Sequence, residues 1–256
     1  MNLGIGLGIT NYQGVPTVPL DPDAVIAALF GSGEEGAWYD PSDLSTVWQD
    51  AAGTTPATAG DPVGRIDDKS GNGNHATQST STARPTLQTS GGLYYLDFDG
   101  VDDFMKSSSF TALSQPISTA VAFRSNSITD FIYDGHASNE LSLITIDNGG
   151  VDSLRIASNA STPLLLVPYT DGVDTVARAL YDGASSVLAI NGVDNAGSVA
   201  ATSDPTQWTL GDNGSASGLS NLDGRIYGFI GVNRSLTAGE IGDVESYLAA
   251  KSGVTL

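Results

Sequence analysis

Hydrophobic residues recur along this chain mostly at alternate positions, in short runs broken by Gly, Asn, Asp and Pro. Residues 94–98, 117–123 and 128–133 set β-branched or aromatic side chains against small or polar ones, a period of two that predicts strands. Runs at 141–146, 153–156, 164–167, 173–181, 186–190, 207–210 and 224–232 follow at similar intervals and raise the expected total to about ten strands. That many short strands predicts an all-β sandwich or jelly roll instead of an α/β fold. Turns are signalled most sharply by Asp182-Gly183 and Asn191-Gly192, which follow two successive strands.

The helical period appears twice. Residues 23–29 follow a Pro and begin with an acid, which predicts a short helix ending near Gly31. At the other end, Thr237 and Glu240 form a capping box ahead of Ile241, Val244, Tyr247 and Leu248, which share one helix face before Gly253. The first residues fit neither period. Leu3, Ile5, Leu7 and Ile9 alternate with glycines and lead into Pro16, Pro19 and Pro22, an apolar strip suited to docking on another protein. An ordinary edge strand or a disordered terminus is the plainer alternative.

Composition narrows the function classes. The chain has 256 residues, within the size of a single large sandwich, and a net charge of −19 with its basic residues scattered, so nucleic acid is not expected as a partner. It has no cysteine, which removes disulfides, thiolate metal sites and cysteine nucleophiles. No run approaches ~18 apolar residues, and the start lacks a cationic leader, so neither membrane insertion nor Sec export is expected.

Candidate chemistry is sparse. Jelly-roll glucanases need paired carboxyls ~5–5.5 Å apart, placed as Glu-x-Asp-x-Glu on one strand. The five Glu here (34, 35, 140, 240, 245) make no such strand, so the chain is expected to bind or build and not to catalyse. His75 and His136 have no metal-ligand spacing. Asp67, Asp68 and Asn74, in a loop dense with turn formers, offer hard oxygen ligands to calcium, but not at EF-hand spacing, and turn chemistry explains them better. Asp97, Asp99, Asp102 and Asp103 read as sheet-end turn residues first and an ion site second. The aromatics Trp38, Tyr39 and Trp48 suit sugar stacking, with core filling the commoner fate.

Four segments in this order, Trp-Tyr-Asp-Pro-Ser-Asp (38–43), Asp-Lys-Ser-Gly-Asn-Gly-Asn-His-Ala (68–76), Leu-Asp-Phe-Asp-Gly-Val-Asp-Asp-Phe (96–104), and Gly-Arg-Ile-Tyr-Gly-Phe (224–229) with Leu-Thr-Ala-Gly-Glu-Ile (236–241), resemble concanavalin A-like or laminin-G-like jelly-roll domains over about residues 36–253. With the glycine-alternating leader, the pattern is similar to structural proteins of tailed bacteriophages and gene-transfer particles. The resemblance implies a virion component, a head spike, decoration protein or tail-tip adhesin. Residues 1–35 would be its attachment segment to other virion proteins, and 36–256 an outward-facing sandwich. Also implied are a homo-oligomeric state and host-glycan binding at loop ends, with Asp102, Asp103, Tyr133, Asp134, His136, Asn139 and Trp208 as ligand-contact candidates. A free-standing lectin and a glycoside hydrolase are the competing readings on the same superfold.

Overall fold

Alternation becomes two stacked sheets wherever one side of a strand finds apolar partners. A computed structural model describes residues 21–135, 141–157, 164–199, 204–213 and 220–256; Leu3, Ile5, Leu7, Ile9, His136 and Asn139 lie outside them. In chain order the elements are α1 (Pro22–Ala27), β1 (Gly36–Tyr39), β2 (Val47–Trp48), β3 (Arg65–Ile66), β4 (Ala76–Thr77), β5 (Thr86–Ser90), β6 (Leu93–Asp99), β7 (Met105–Ser107), β8 (Ile117–Ser125) and β9 (Phe131–Asp134). There follow β10 (Ser142–Asp147), β11 (Asp152–Ala157), β12 (Leu165–Pro168), β13 (Thr175–Tyr181), β14 (Ser186–Ile190), β15 (Val193–Gly197), β16 (Thr209–Leu210), β17 (Asp223–Val232) and α2 (Ala238–Ser252).

The strands pair antiparallel in two sheets. One runs β15-β14-β13-β8-β17-β6-β5, with β1 also on β17; the other runs β12-β11-β10-β9-β16-β7-β4-β3-β2. The ten-residue β17 serves two partners on one edge, β6 along its first half and β1 along its second. It lies so close to β8 that a Cβ on Gly224 would sit 2.0 Å from the Arg124 carbonyl oxygen, which is why a glycine stands there. The β14–β15 hairpin turns on Asn191 (φ 49°) and Gly192 (φ 79°), as the Asn-Gly pair predicts.

Two hydrophobic layers result. Between the sheets lie Val47, Ile66, Leu96, Phe123, Ile132, Tyr133, Leu154, Trp208, Leu210 and Phe229, among others. A second layer, on the other side of the first sheet, joins Trp38, Ala120, Val176, Tyr227 and Ile230 to Val244, Tyr247 and Leu248 of α2. The capping box on α2 is formed as expected, and Gly253 ends the helix at φ 75°. The fold class is the predicted one: a two-sheet antiparallel sandwich closed by a C-terminal helix.

Two expectations change. Among the described residues there are seventeen strands instead of about ten: of the seven additional ones, β2, β3, β4 and β7 have only two or three residues each, too few to display a period, and β1, β5 and β15 have four or five. The boundary at residue 36 also moves: Ile26, Leu29 and Phe30 are buried in the second layer with Trp38 and α2. The α1 segment is therefore part of the sandwich body, because its apolar side chains complete the layer over the first sheet. Among the described residues no helix is long and apolar enough to cross a membrane.

Candidate functional site

The short strands of the second sheet line up one lateral row. Trp48 pairs with Arg65, Arg65 with Thr77, Thr77 with Lys106, Lys106 with Thr209, and Thr209 with Asp134. On each strand a neighbouring residue, Val47, Ile66, Ala76, Met105, Leu210 or Tyr133, lies in the core between the sheets. Alternation therefore turns the whole row to the side of the sheet away from the core, where Trp48, Arg65, Thr77 and Lys106 are partly exposed and Thr209 and Asp134 are buried. Six strands at about 4.8 Å spacing make it roughly 24 Å long.

Trp48 stands at one end. It is partly exposed, whereas Trp38 and Trp208 are 2% and 0% exposed. Its indole N–H donates to Asp67 Oδ2 at 2.8 Å. Asp67 is fixed in turn by the Arg65 Nε donor at 2.6 Å on Oδ1. His75 Nδ1 lies 3.1 Å from the same oxygen while accepting the Asp68 N–H. The ring thus has one edge tied down, which fixes its orientation without burying it, and it is bordered by a guanidinium and a carboxylate. An apolar ring beside planar polar groups is the combination that grips a ligand with both C–H faces and hydroxyls.

The residues expected to bind calcium do something else. Asp68 accepts from the Trp38 and Ser70 backbone N–H groups on Oδ1 and from Ser70 Oγ and the Asn74 N–H on Oδ2. Asn74 donates its amide to Glu35 and to the Gly36 carbonyl, and Asp67 holds Trp48. The acceptor positions of Asp67 and Asp68 are taken by N–H and O–H donors, so this set does not fit a hard cation; it closes the loop over β1.

The structure also separates the expected ligand contacts. Tyr133 and Trp208 pack in the core against Phe229, and the Tyr133 hydroxyl bonds to Thr119 and Tyr181. Their large apolar surface went inward, so neither reaches a surface ligand. Asp134 is fully buried but belongs to the outward row. Asp102 and Asp103 sit at the far turn after β6, where the carboxylates of Asp99, Asp102 and Asp103 lie within 4.8 Å of one another. Asp99 Oδ1 accepts from the Val101 and Asp102 N–H groups, and Asp103 Oδ2 from that of Asp99. Burial, then the neighbouring Asp99, pushes the Asp103 carboxyl up to about 7. Of the expected contacts among the described residues, therefore, the row takes in Asp134 alone. Arg65, Thr77, Lys106 and Thr209 were not foreseen, and an apolar residue beside a polar one in a two-residue strand is all the signal the chain offers for them.

No family model matches the chain, and neither does any curated protein sequence. Solved structures do. A GH54 α-L-arabinofuranosidase soaked with a cyclic sulfate inhibitor superposes with TM-score 0.63 at 12% identity, over 88% of this chain and 65% of that one. Domain 4 of an extracellular GH43 arabinanase from Geobacillus stearothermophilus, in complex with arabinotriose, gives 0.56 at 14%, over 86% and 98%. Trypanosoma rangeli sialidase in complex with sialic acid gives 0.55 at 10%, over 90% and 37%. The chain thus spans 65% of the length of the arabinofuranosidase. At these identities the shared property is the sandwich fold.

These neighbours overturn one expectation. The missing Glu-x-Asp-x-Glu strand was the ground for a chain that does not catalyse, yet the structures sharing its fold include an arabinofuranosidase and a sialidase. That motif is one way of placing carboxyls on a sandwich, so its absence does not exclude hydrolysis.

Proposed function

We propose that this chain is a glycan-binding β-sandwich whose ligand lies along the outward face of the second sheet, with Trp48 as its stacking platform. The observation that carries this is Trp48 itself: the one partly exposed tryptophan of three, its N–H held by Asp67, at the head of a six-strand row of polar side chains. A domain solved with arabinotriose, matched over 98% of its length, supports the class of ligand. The test is a glycan array probed with the full chain and with Trp48→Ala. The expected result is binding by the parent and roughly five- to 150-fold weaker binding by the variant, since losing a stacked ring removes about 1–3 kcal/mol. Unchanged binding by the variant overturns the placement. Reducing sugar released in the same samples reports turnover.

The finer reading is display on a phage particle, with Leu3, Ile5, Leu7 and Ile9 as the docking strip and a homo-oligomeric arrangement. The ordered motifs and the composition of the first twenty residues support it. Deleting residues 1–20 should abolish incorporation into particles and leave a folded sandwich; retained incorporation refutes it.

A further inference from the structure

The chain has ten basic residues against twenty-nine acidic ones, so a cation without a partner is conspicuous. Arg65, Lys69, Arg124, Arg178, Arg225, Arg234 and Lys251 are each within ion-pair distance of a carboxylate. Arg84 donates to three backbone carbonyls, and Lys106 is also engaged. Among the described residues Arg155 is the basic group with no hydrogen bond and no ion pair. Its Nε is buried all the same, and burial alone draws its pKa down.

Its place in the sheet says what it faces. Leu154 and Ile156, on either side of it in β11, are in the core between the sheets, so Arg155 points to the same outward face as the polar row. Directly across from it are Ile144 on β10 and Leu166 on β12. The strand order carries the row from Trp48 on β2 to Asp134 on β9, and Arg155 stands two strands further along. The strands of this face therefore carry Arg65, already paired with Asp67, together with Lys106 and Arg155, while Asp134 is fully buried, in a protein of net charge −19.

A desolvated guanidinium with an unused N–H is costly in the free chain, and an external carboxylate repays that cost with a charge-assisted, two-pronged hydrogen bond. Flanking Ile144 and Leu166 keep water away and strengthen the pairing. We infer that Arg155 is a specificity residue for an acidic sugar: the glycan bound along this face carries a carboxylate, as uronic and sialic acids do, and Arg155 receives it. This deepens the proposed glycan-binding function and rests on it.

The experiment presents the full chain and its Arg155→Gln and Arg155→Lys variants with two sets of probes. The acidic set is polygalacturonate, alginate, hyaluronan and sialyllactose; the neutral set is arabinan, xylan, galactan and carboxyl-reduced polygalacturonate. The inference expects the parent to prefer acidic members. Arg155→Gln should weaken those at least tenfold and leave any neutral binding as it was, and Arg155→Lys should restore only part of the loss because it cannot grip a carboxylate with a fork. Thermal unfolding should show no loss of stability in Arg155→Gln, since the side chain bonds to nothing in the free protein. Preference for neutral probes, or equal binding of acidic ones by Arg155→Gln, overturns the inference while glycan binding stands. Failure of the parent to bind either set overturns the glycan reading and the inference together.

Discussion

Asp40 supplies the sharpest prediction about what holds the closing helix in place. It follows β1, is 1% exposed, and accepts from Ser42 N (2.9 Å), Ser42 Oγ (2.6 Å), the Tyr247 hydroxyl (2.7 Å) and Lys251 Nζ (2.9 Å), with Lys69 Nζ at 3.5 Å. Burial pushes its carboxyl up, but the bonds from Ser42, Lys251 and Tyr247 outweigh burial and hold it below the ordinary value. Asp40→Asn keeps the shape and turns one oxygen into a donor, so either the Ser42 pair or the Tyr247 and Lys251 pair loses its acceptor. Lys69 retains Asp23 and Asp43, and Lys251 retains Ser42 Oγ at 2.8 Å. The loss therefore falls short of the ~3–5 kcal/mol of a broken, fully buried ion pair, at about 2–4 kcal/mol. For a domain of this size that lowers Tm by roughly 5–15 °C. Urea unfolding should show a lower midpoint with an unchanged slope. Asp40→Asn combined with Lys251→Met should recover part of the loss, because the second change removes the charge that the first leaves uncompensated. A loss below about 0.5 kcal/mol, or strict additivity of the two changes, refutes the reasoning.

Other predictions concern the site and its turn. Asp67→Ala frees the Trp48 ring, and re-ordering it on binding costs ~0.5–1.5 kcal/mol, so calorimetry should show glycan affinity about three- to tenfold weaker, with Trp48→Phe similar and the two changes non-additive. Stability should rise as pH falls from 8 toward 5: the Asp103 carboxyl sits at about 7, raised from 3.8, so between those values the folded chain keeps a proton that the unfolded chain releases. Below about pH 4 the trend reverses, because Asp40 is held low and its contribution is lost on protonation. In Asp103→Asn the thermal-melt pH profile above pH 5 should become shallower, with the remaining slope coming from Asp130, which burial pushes up to about 6; an unchanged slope counts against the cause given.

Much of the fold is legible because its signals are local. The Thr237 and Glu240 pair, the Asn191-Gly192 turn and the alternation of β8, β13 and β17 each specify an element within a few residues. The site is different. Its row is assembled laterally, from strands as far apart in sequence as Trp48 and Thr209, and two-residue strands such as Arg65–Ile66 carry no period of their own. Aromatic residues mislead for a related reason: Trp48 and Trp208 are both flanked by polar and β-branched residues, and only the stacking of the sheets sends one outward and the other into the core. Asp68 and Asn74 looked like ion ligands because a turn that satisfies its own backbone uses the same oxygen-rich side chains as a cation site.

The central claim, that glycan lies on the outward face at Trp48, is tested most directly by following the three tryptophan indole N–H resonances of the full chain during titration with a glycan selected on the array. The Trp48 signal should shift in step with saturation while those of Trp38 and Trp208, buried in the two core layers, stay in place. Saturating binding that leaves the Trp48 signal unmoved would contradict it.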